Sequence, residues 1–351
     1  MMQAKNIWVI QTAFVGDNVL CLPLLKEICQ NFPDANIQYI TTKIGAELLE
    51  IAKGVGLANF AGRLFAKRLD KRGKDSGLGG LFRFARELKK EAAPEIVFCV
   101  QRSFRSGLLS FISGAKCRVG FSSGSASLFY THIARRIWES RQHEIEKNLD
   151  LLRTLGFEVP DWAQPDQKSL LGTRKSNEVE KFRKVGISIG SPWPSKMWPS
   201  EHVVSLAKTL TSKGMDVYLL GDAHSAQLGE EITREIGSPL VQNYVGKTTL
   251  AEWVTKISTL DILISPDSAA VHVASDLGVP VIGLFGPTVP EFGFAPWRKS
   301  SLVLGLKNLP CRPCHIHGLK VCPLKHHRCM KDLGPKRVLD FMDRILPELR
   351  V

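Results

Sequence analysis

The chain has 351 residues, enough for about two domains with cores of their own. Its 44% hydrophobic and 23% charged content excludes a wholly disordered or fibrous polymer. A net charge of +13 directs attention to anionic partners: nucleic acid, a phospholipid surface or a phosphate-bearing substrate.

Residues 6–11 read as a first core strand. The apolar run Ile7-Trp8-Val9-Ile10 is too short for a signal-peptide core, lacks a small-residue cleavage site and runs into Gly16-Asp17. A helix is predicted over 18–31, a strand over 36–41 and a helix near 46–52. A basic polar stretch follows at 63–80, read as a solvated loop. After it come a helix at 81–90, a strand at 95–100 and a short helix at 106–113. Pro and Asp punctuate 160–177, a plausible linker. A second series then begins: strand 185–189, helix 201–212, strand 216–220, helices 226–236 and 250–258, strand 261–264, helix 269–276, strand 279–284 and a closing helix 335–346. Strands alternating with helices predict βαβ units and parallel sheets. The expected fold class is α/β, two doubly wound Rossmann-like domains facing across a cleft, with ligands at the carboxyl ends of the strands. The expected domains are 1–165 and 176–334, with 335–351 packing back on the N-terminal domain.

No run of about 18 apolar residues occurs, and the reading is of a cytoplasmic protein. Two glycine motifs fail. Gly77-Leu78-Gly79-Gly80 follows no strand, and Gly246-Lys247-Thr248 has Val241 where a P-loop needs glycine. No helix-turn-helix or RNA-stacking signature accompanies the charge, so nucleic acid rests on charge alone and is not expected as a partner.

Three turns carry chemistry. Thr12 to Asp17 joins the first strand to its helix; Asp17 either caps that helix or accepts a proton from a substrate hydroxyl. The loop from Gly190 to Pro199 offers Ser191 and Lys196 to a phosphate, unless Lys196 is merely solvated. Pro266-Asp267-Ser268-Ala269-Ala270-Val271-His272 opens a helix whose free amides and dipole suit pyrophosphate. There Asp267 can equally be an N-cap and His272 a satisfied core histidine. Gly286-Pro287-Thr288 adds a turn on the same edge. Of eight cysteines, Cys311, Cys314, Cys322 and Cys329 cluster with metal-compatible spacing, so a structural zinc stands against unliganded thiols.

In order and spacing these segments resemble glycosyltransferase family 9, the ADP-heptose:lipopolysaccharide heptosyltransferases, over nearly the whole chain. The shared pattern includes Gly16-Asp17, Pro23, Phe32-Pro33-Asp34-Ala35, Arg102-Ser103, Arg105-Ser106, His143-Glu144, Asn148, Lys196 to Pro199, Asp267-Ser268, His272 and Gly286-Pro287-Thr288. The cysteine tail and the Arg-Ser pairs look most like the type II enzymes. The resemblance implies a GT-B fold and inverting transfer of heptose from ADP-heptose to the phosphorylated Kdo-lipid A inner core, with no cofactor required for catalysis. It implies Asp17 as general base and Lys196 as a catalytic and phosphate-contacting residue. Donor-binding positions are Ser191, Lys196, Asp222, Asp267, Ser268, Ala269, His272, Gly286 and Thr288. Acceptor-binding positions are Thr12, Gly16, Arg102 and Arg105. It also implies peripheral contact with the cytoplasmic face of the inner membrane, with 63–74 and 102–105 as basic acceptor surfaces.

Three positions depart from the family pattern. Ala269 replaces a glycine, which is harmless only if its φ is negative. Pro192 removes a hydroxyl, and the glutamate that in the family often follows strand 216–220 to hold the ribose is missing, with Asp222 its weak substitute. Transfer from another nucleotide sugar is therefore a competing reading. Another is an inactive nucleotide-sugar or lipid A binding protein.

Overall fold

The computed structural model of the chain describes residues 3–54, 57, 77–136, 141–164, 168–175, 182–298 and 301–345. The basic stretch at 63–74 lies outside the described residues. The chain divides into two compact units, Met1–Ala163 and Gln164–Val351.

In the first unit the order is β1 (Asn6–Gln11), α1 (Val15–Val19), α2 (Leu22–Asn31), β2 (Asn36–Thr41), α3 (Lys43–Lys53) and α4 (Gly77–Glu91). β3 (Ile96–Cys99), α5 (Phe104–Ile112), β4 (Cys117–Phe121), β5 (His132–Ala134) and α6 (Glu144–Arg153) follow. The strands form a parallel sheet ordered β2-β1-β3-β4-β5. Central β1 is buried on both faces, as its unbroken Ile-Trp-Val-Ile run requires of an interior parallel strand. Trp8, Ile10, Val97, Phe84, Leu88 and Leu109 pack together over one face. The helix predicted over 18–31 is two helices. Pro23 has no N–H to reach the carbonyl of Val19, so the chain restarts at Leu22 with Pro23 in the first turn.

The second unit runs β6 (Lys184–Ser188), α7 (Ser200–Ser212), β7 (Asp216–Leu220), α8 (Ala226–Ile236), β8 (Val241–Asn243), α9 (Leu250–Ser258), β9 (Ile262–Pro266) and α10 (Ala269–Leu277). It closes with β10 (Val281–Leu284), β11 (Leu302–Leu304), α11 (Arg328–Lys331) and α12 (Pro335–Ile345). Its parallel sheet is ordered β11-β10-β9-β6-β7-β8. Residues 168–171 belong here rather than to a free linker: Asp276 Oδ2 accepts from Ser169 Oγ (2.6 Å) and from the backbone of Leu170 and Leu171. Of the closing helix, Val338 and Met342 are buried in the second unit's core, and α12 packs on α7. Its apolar stripe finds its matching surface on α7.

Each strand order has a switch point, where connections leave a strand in opposite directions and a crevice opens at the carboxyl ends. In the first sheet it lies between β1 and β3. In the second it lies between β6 and β9. Among the described residues no helix is long and apolar enough to cross a membrane.

Candidate active site

The first unit's switch point gathers Thr12, Gly16 and Asp17, which follow β1, with Arg102 and Arg105, which follow β3. The turn before α1 is locked by Asn18, only 1% exposed. Its amide donates to the carbonyls of Ala13 (3.2 Å) and Phe14 (2.9 Å), and its Oδ1 accepts from Tyr39 Oη (2.6 Å) and Thr41 Oγ1 (2.8 Å). Gly45 in α3 makes room, because a Cβ there would lie 2.6 Å from Asn18 Oδ1. A buried amide with every hydrogen bond made holds one conformation, and it fixes the residue beside it.

That neighbour is Asp17, at the third helical position behind the N-cap Phe14, which makes no side-chain cap bond of its own. The carboxylate accepts from the backbone N–H of Phe14, one half of a capping box. The capping reading is thus realised without excluding the chemical one. Burial pushes the Asp17 carboxyl up to about 6, and the negative charge of Glu144 adds to the rise. The bonds to the backbone at Phe14 and Asp17, and the charge of Arg102, pull the other way. Burial lowers the affinity of Arg102 for its own proton, with Arg136 acting in the same sense. Arg105 lies half-buried on α5, and its Nη2 has no hydrogen-bond partner among the described residues.

At the second switch point Lys196, in the loop after β6, reaches Asp267, after β9. Nζ and Oδ2 are 2.6 Å apart, and the same Oδ2 accepts from Thr288 Oγ1 at 2.7 Å. Three residues from three loops form one polar cluster on the strand ends. Ser268 is the N-cap of α10: its Oγ accepts from Ala270 N (3.3 Å) and sits 3.0 Å from Ser265 Oγ. Among the described residues, positive φ outside glycine occurs only at Arg141, Lys325 and His327. Ala269 is therefore an ordinary first helical residue, and its departure from glycine carries no backbone cost. Ser191 Oγ accepts from Trp193 N (3.1 Å), shaping the loop. Asp222 is exposed and takes a bond from Ser225 Oγ (3.3 Å). His272 is 4% exposed, with its ring stacked on Trp297 at 6.4 Å and near Phe294. Gly286 has no space for a side chain, since a Cβ would collide with Met330 Sδ.

The cysteine-rich tail fastens these loops. Arg312 donates to the carbonyls of Phe285, Gly286, Leu306 and Thr288 at 2.6–3.1 Å. Ser195 exchanges two hydrogen bonds with Leu319 (2.7 and 3.1 Å), and His327 Nε2 lies 2.7 Å from the Ser195 carbonyl. Cys314, Cys322, Cys329 and His327 line a void of only ≈ 10 Å³. Among the described residues no three His, Cys, Asp or Glu side chains are arranged to hold a metal ion, although the charges of Cys311, Cys314, Cys322 and Cys329 act on one another. Cys314 Sγ instead donates to the Cys311 carbonyl (2.9 Å), and Cys329 is buried in the second core.

Sequence reasoning assigned no role to Asn18, Arg136, Lys147 or Arg312, took His327 only as a histidine near the cysteine cluster, and used Glu144 only as part of a pattern. His143-Glu144 with Asn148 was the available signal for the α6 face.

The glycosyltransferase family 9 (heptosyltransferase) profile matches residues 81–324. The lipooligosaccharide heptosyltransferase 2 of Campylobacter jejuni serotype O:2 is 25% identical over 354 residues, covering 97% of this chain and 98% of the relative. The crystal structure of a family 9 glycosyl transferase from Veillonella parvula superposes with a TM-score of 0.76 at 20% identity, covering 99% of both chains. That of ADP-heptose lipopolysaccharide heptosyltransferase II from Escherichia coli gives 0.74 at 21% identity over the full length of both. The two parallel α/β sheets thus have the GT-B fold of heptosyltransferases, and the chain belongs to glycosyltransferase family 9, the heptosyltransferases.

Proposed function

We propose that this glycosyltransferase moves heptose from ADP-heptose to the phosphorylated, Kdo-bearing inner core of lipopolysaccharide, as a type II enzyme, with inversion at the anomeric carbon. The observation that carries the chemistry is the half-buried carboxylate of Asp17, pushed up to about 6 at the carboxyl end of β1. A carboxylate of ordinary acidity is a poor match for an alcohol proton; one raised towards neutrality accepts it better and is still ionised at pH 7.

The acceptor hydroxyl oxygen attacks C1 of the donor heptose as its proton passes to Asp17. The C1–oxygen bond to the β-phosphate breaks, and its electron pair leaves with ADP. Lys196 and the first-turn amides of α10 are suited to the charge that grows on that phosphate. Asp267 holds the Lys196 ammonium end in place before the donor arrives. Thr12, Gly16, Arg102 and Arg105 face the acceptor in this reading. The Arg105 Nη2 donor without a partner is the kind of group that an acceptor phosphate or carboxylate satisfies. Ser191, Asp222, His272, Gly286 and Thr288 line or support the donor loops. The relatives of matching length include lipo-oligosaccharide and lipopolysaccharide heptosyltransferases of type 2, which supports this donor and acceptor. The acceptor would bring the enzyme to the cytoplasmic face of the inner membrane.

The test is transfer in vitro from ADP-heptose, with UDP- and GDP-sugars as alternatives, to heptosyl-Kdo-lipid A. Addition of one heptose with ADP-heptose alone is expected. Turnover with a different nucleotide sugar would replace the donor assignment, and tight ADP binding without turnover would favour a binding protein.

A further inference from the structure

We propose that Glu144 is a positioning residue for the base: clamped by Arg136 and Lys147 at the start of α6, its carboxylate sets the field in which Asp17 takes up a proton. This rests on the reading of Asp17 as the general base.

The geometry begins with Asn148, whose Nδ2 donates to the carbonyl of Leu20 at 3.0 Å and pins α6 to the end of α1. Asp17 precedes Leu20 by one turn, and Glu144 precedes Asn148 by one turn on the same face of α6. Glu144 is 8% exposed, Arg136 7% and Lys147 2%. A single Arg136 nitrogen, Nη2, donates to both Glu144 oxygens at 2.6 and 2.7 Å, and Lys147 Nζ stands 3.8 Å from Oε2. Glu144 is also the first residue of α6, where the helix dipole favours a negative charge. Such a carboxylate is held in one position.

The charged and titratable groups around Asp17 come from every element packed on it. Glu144 from α6 and Arg102 after β3 act on its carboxylate directly, Cys21 beside α1 and Tyr39 on β2 stand next to it, and Arg136 after β5 and Lys147 from α6 act on Glu144 and Arg102. Burial raises both Cys21 and Tyr39, so they remain neutral near pH 7. Arg102 is then the cation that acts on Asp17 directly and makes it a stronger acid. Glu144 is the only anion among these groups, and it offsets Arg102. Lys147 is too deeply buried to meet a substrate, so its role is to hold Glu144.

The experiment is the pH dependence of kcat/KM for heptose transfer by wild type, Glu144→Gln and Glu144→Asp. Removing the negative charge should move the acidic limb towards lower pH by about half a unit or more, with a several-fold lower plateau as the base weakens. Glu144→Asp, which keeps the charge, should leave the limb near its wild-type position. A Glu144→Gln enzyme that is slower at every pH with an unmoved limb would overturn the proposal, because that is the signature of a merely structural residue. Should Glu144→Gln fail to fold, Arg136→Gln serves: Glu144, no longer neutralised by its clamp, should bear more strongly on Asp17 and move the limb towards higher pH, and an unmoved limb overturns the proposal equally. Failure of the underlying reading is distinct, since it appears as an Asp17→Asn enzyme that retains activity.

Discussion

Replacing Asp17 by Asn should make the protein more stable while making it nearly inactive. The carboxyl ionises near 3.8 in an unfolded chain and at about 6 in the folded one. Between these values the folded chain keeps a proton that the unfolded chain releases, so this group's contribution to stability falls as pH rises through the window. Above pH 6 the full cost is present. A displacement from 3.8 to about 6 corresponds to a penalty on the order of 3 kcal/mol. Asn has nearly the same shape, can still accept the Phe14 N–H and carries no charge to desolvate. Urea unfolding of the full chain followed by circular dichroism, at pH 8 and again near pH 4, isolates the effect. The variant should exceed wild type by about 1–3 kcal/mol at pH 8, and the difference should shrink to near zero in acid. Catalysis should drop about 10²–10⁴-fold, the usual cost of removing a general base. Equal or lower stability of Asp17→Asn at pH 8 would refute the claim that burial strains this carboxylate for function.

Lys196→Ala should weaken ADP binding about tenfold to a hundredfold, read by calorimetry, since a charge-assisted contact is lost and the buried Asp267 carboxylate is left facing the phosphate. Unchanged affinity would remove Lys196 from the donor site. Gly286→Ala should lower stability by about 1–3 kcal/mol through collision with Met330, with partial recovery on adding Met330→Ala. Chain purified without chelator should contain well under one zinc per molecule by elemental analysis. One zinc per chain would mean that Cys311, Cys314, Cys322 and Cys329 regroup from the arrangement described.

Strands β1 and β9 were legible because parallel strands buried on both faces carry apolar runs, whereas interior β4 was missed because Arg118 and Gly120 break its run. The edge strands β5, β8 and β11 have three residues each, too few for any periodicity to register. The start of α4 was hidden by Gly77, Gly79 and Gly80, which read as a loop until the amphipathic face from Leu81 onwards is seen to carry them. Asp17, Lys196 and Asp267 could be found because strand-to-helix turns in α/β sheets are where ligands bind. Their partners could not. Lys196 meets Asp267 from 71 positions away, and Asn148 meets Leu20 from 128. Such pairings are set by sheet order and helix packing, which local sequence does not encode. The clustering of the four cysteines was legible from their spacing, but not that Cys329 is buried in the second core and Cys314 bonded to the Cys311 carbonyl.

The most direct test is heptose transfer from ADP-heptose to heptosyl-Kdo-lipid A by wild type and Asp17→Asn side by side, scored by mass spectrometry of the acceptor. The account predicts one added heptose with wild type and a rate at least about a hundredfold lower with Asp17→Asn, at undiminished ADP affinity. A variant that transfers heptose within a few-fold of wild type would contradict it.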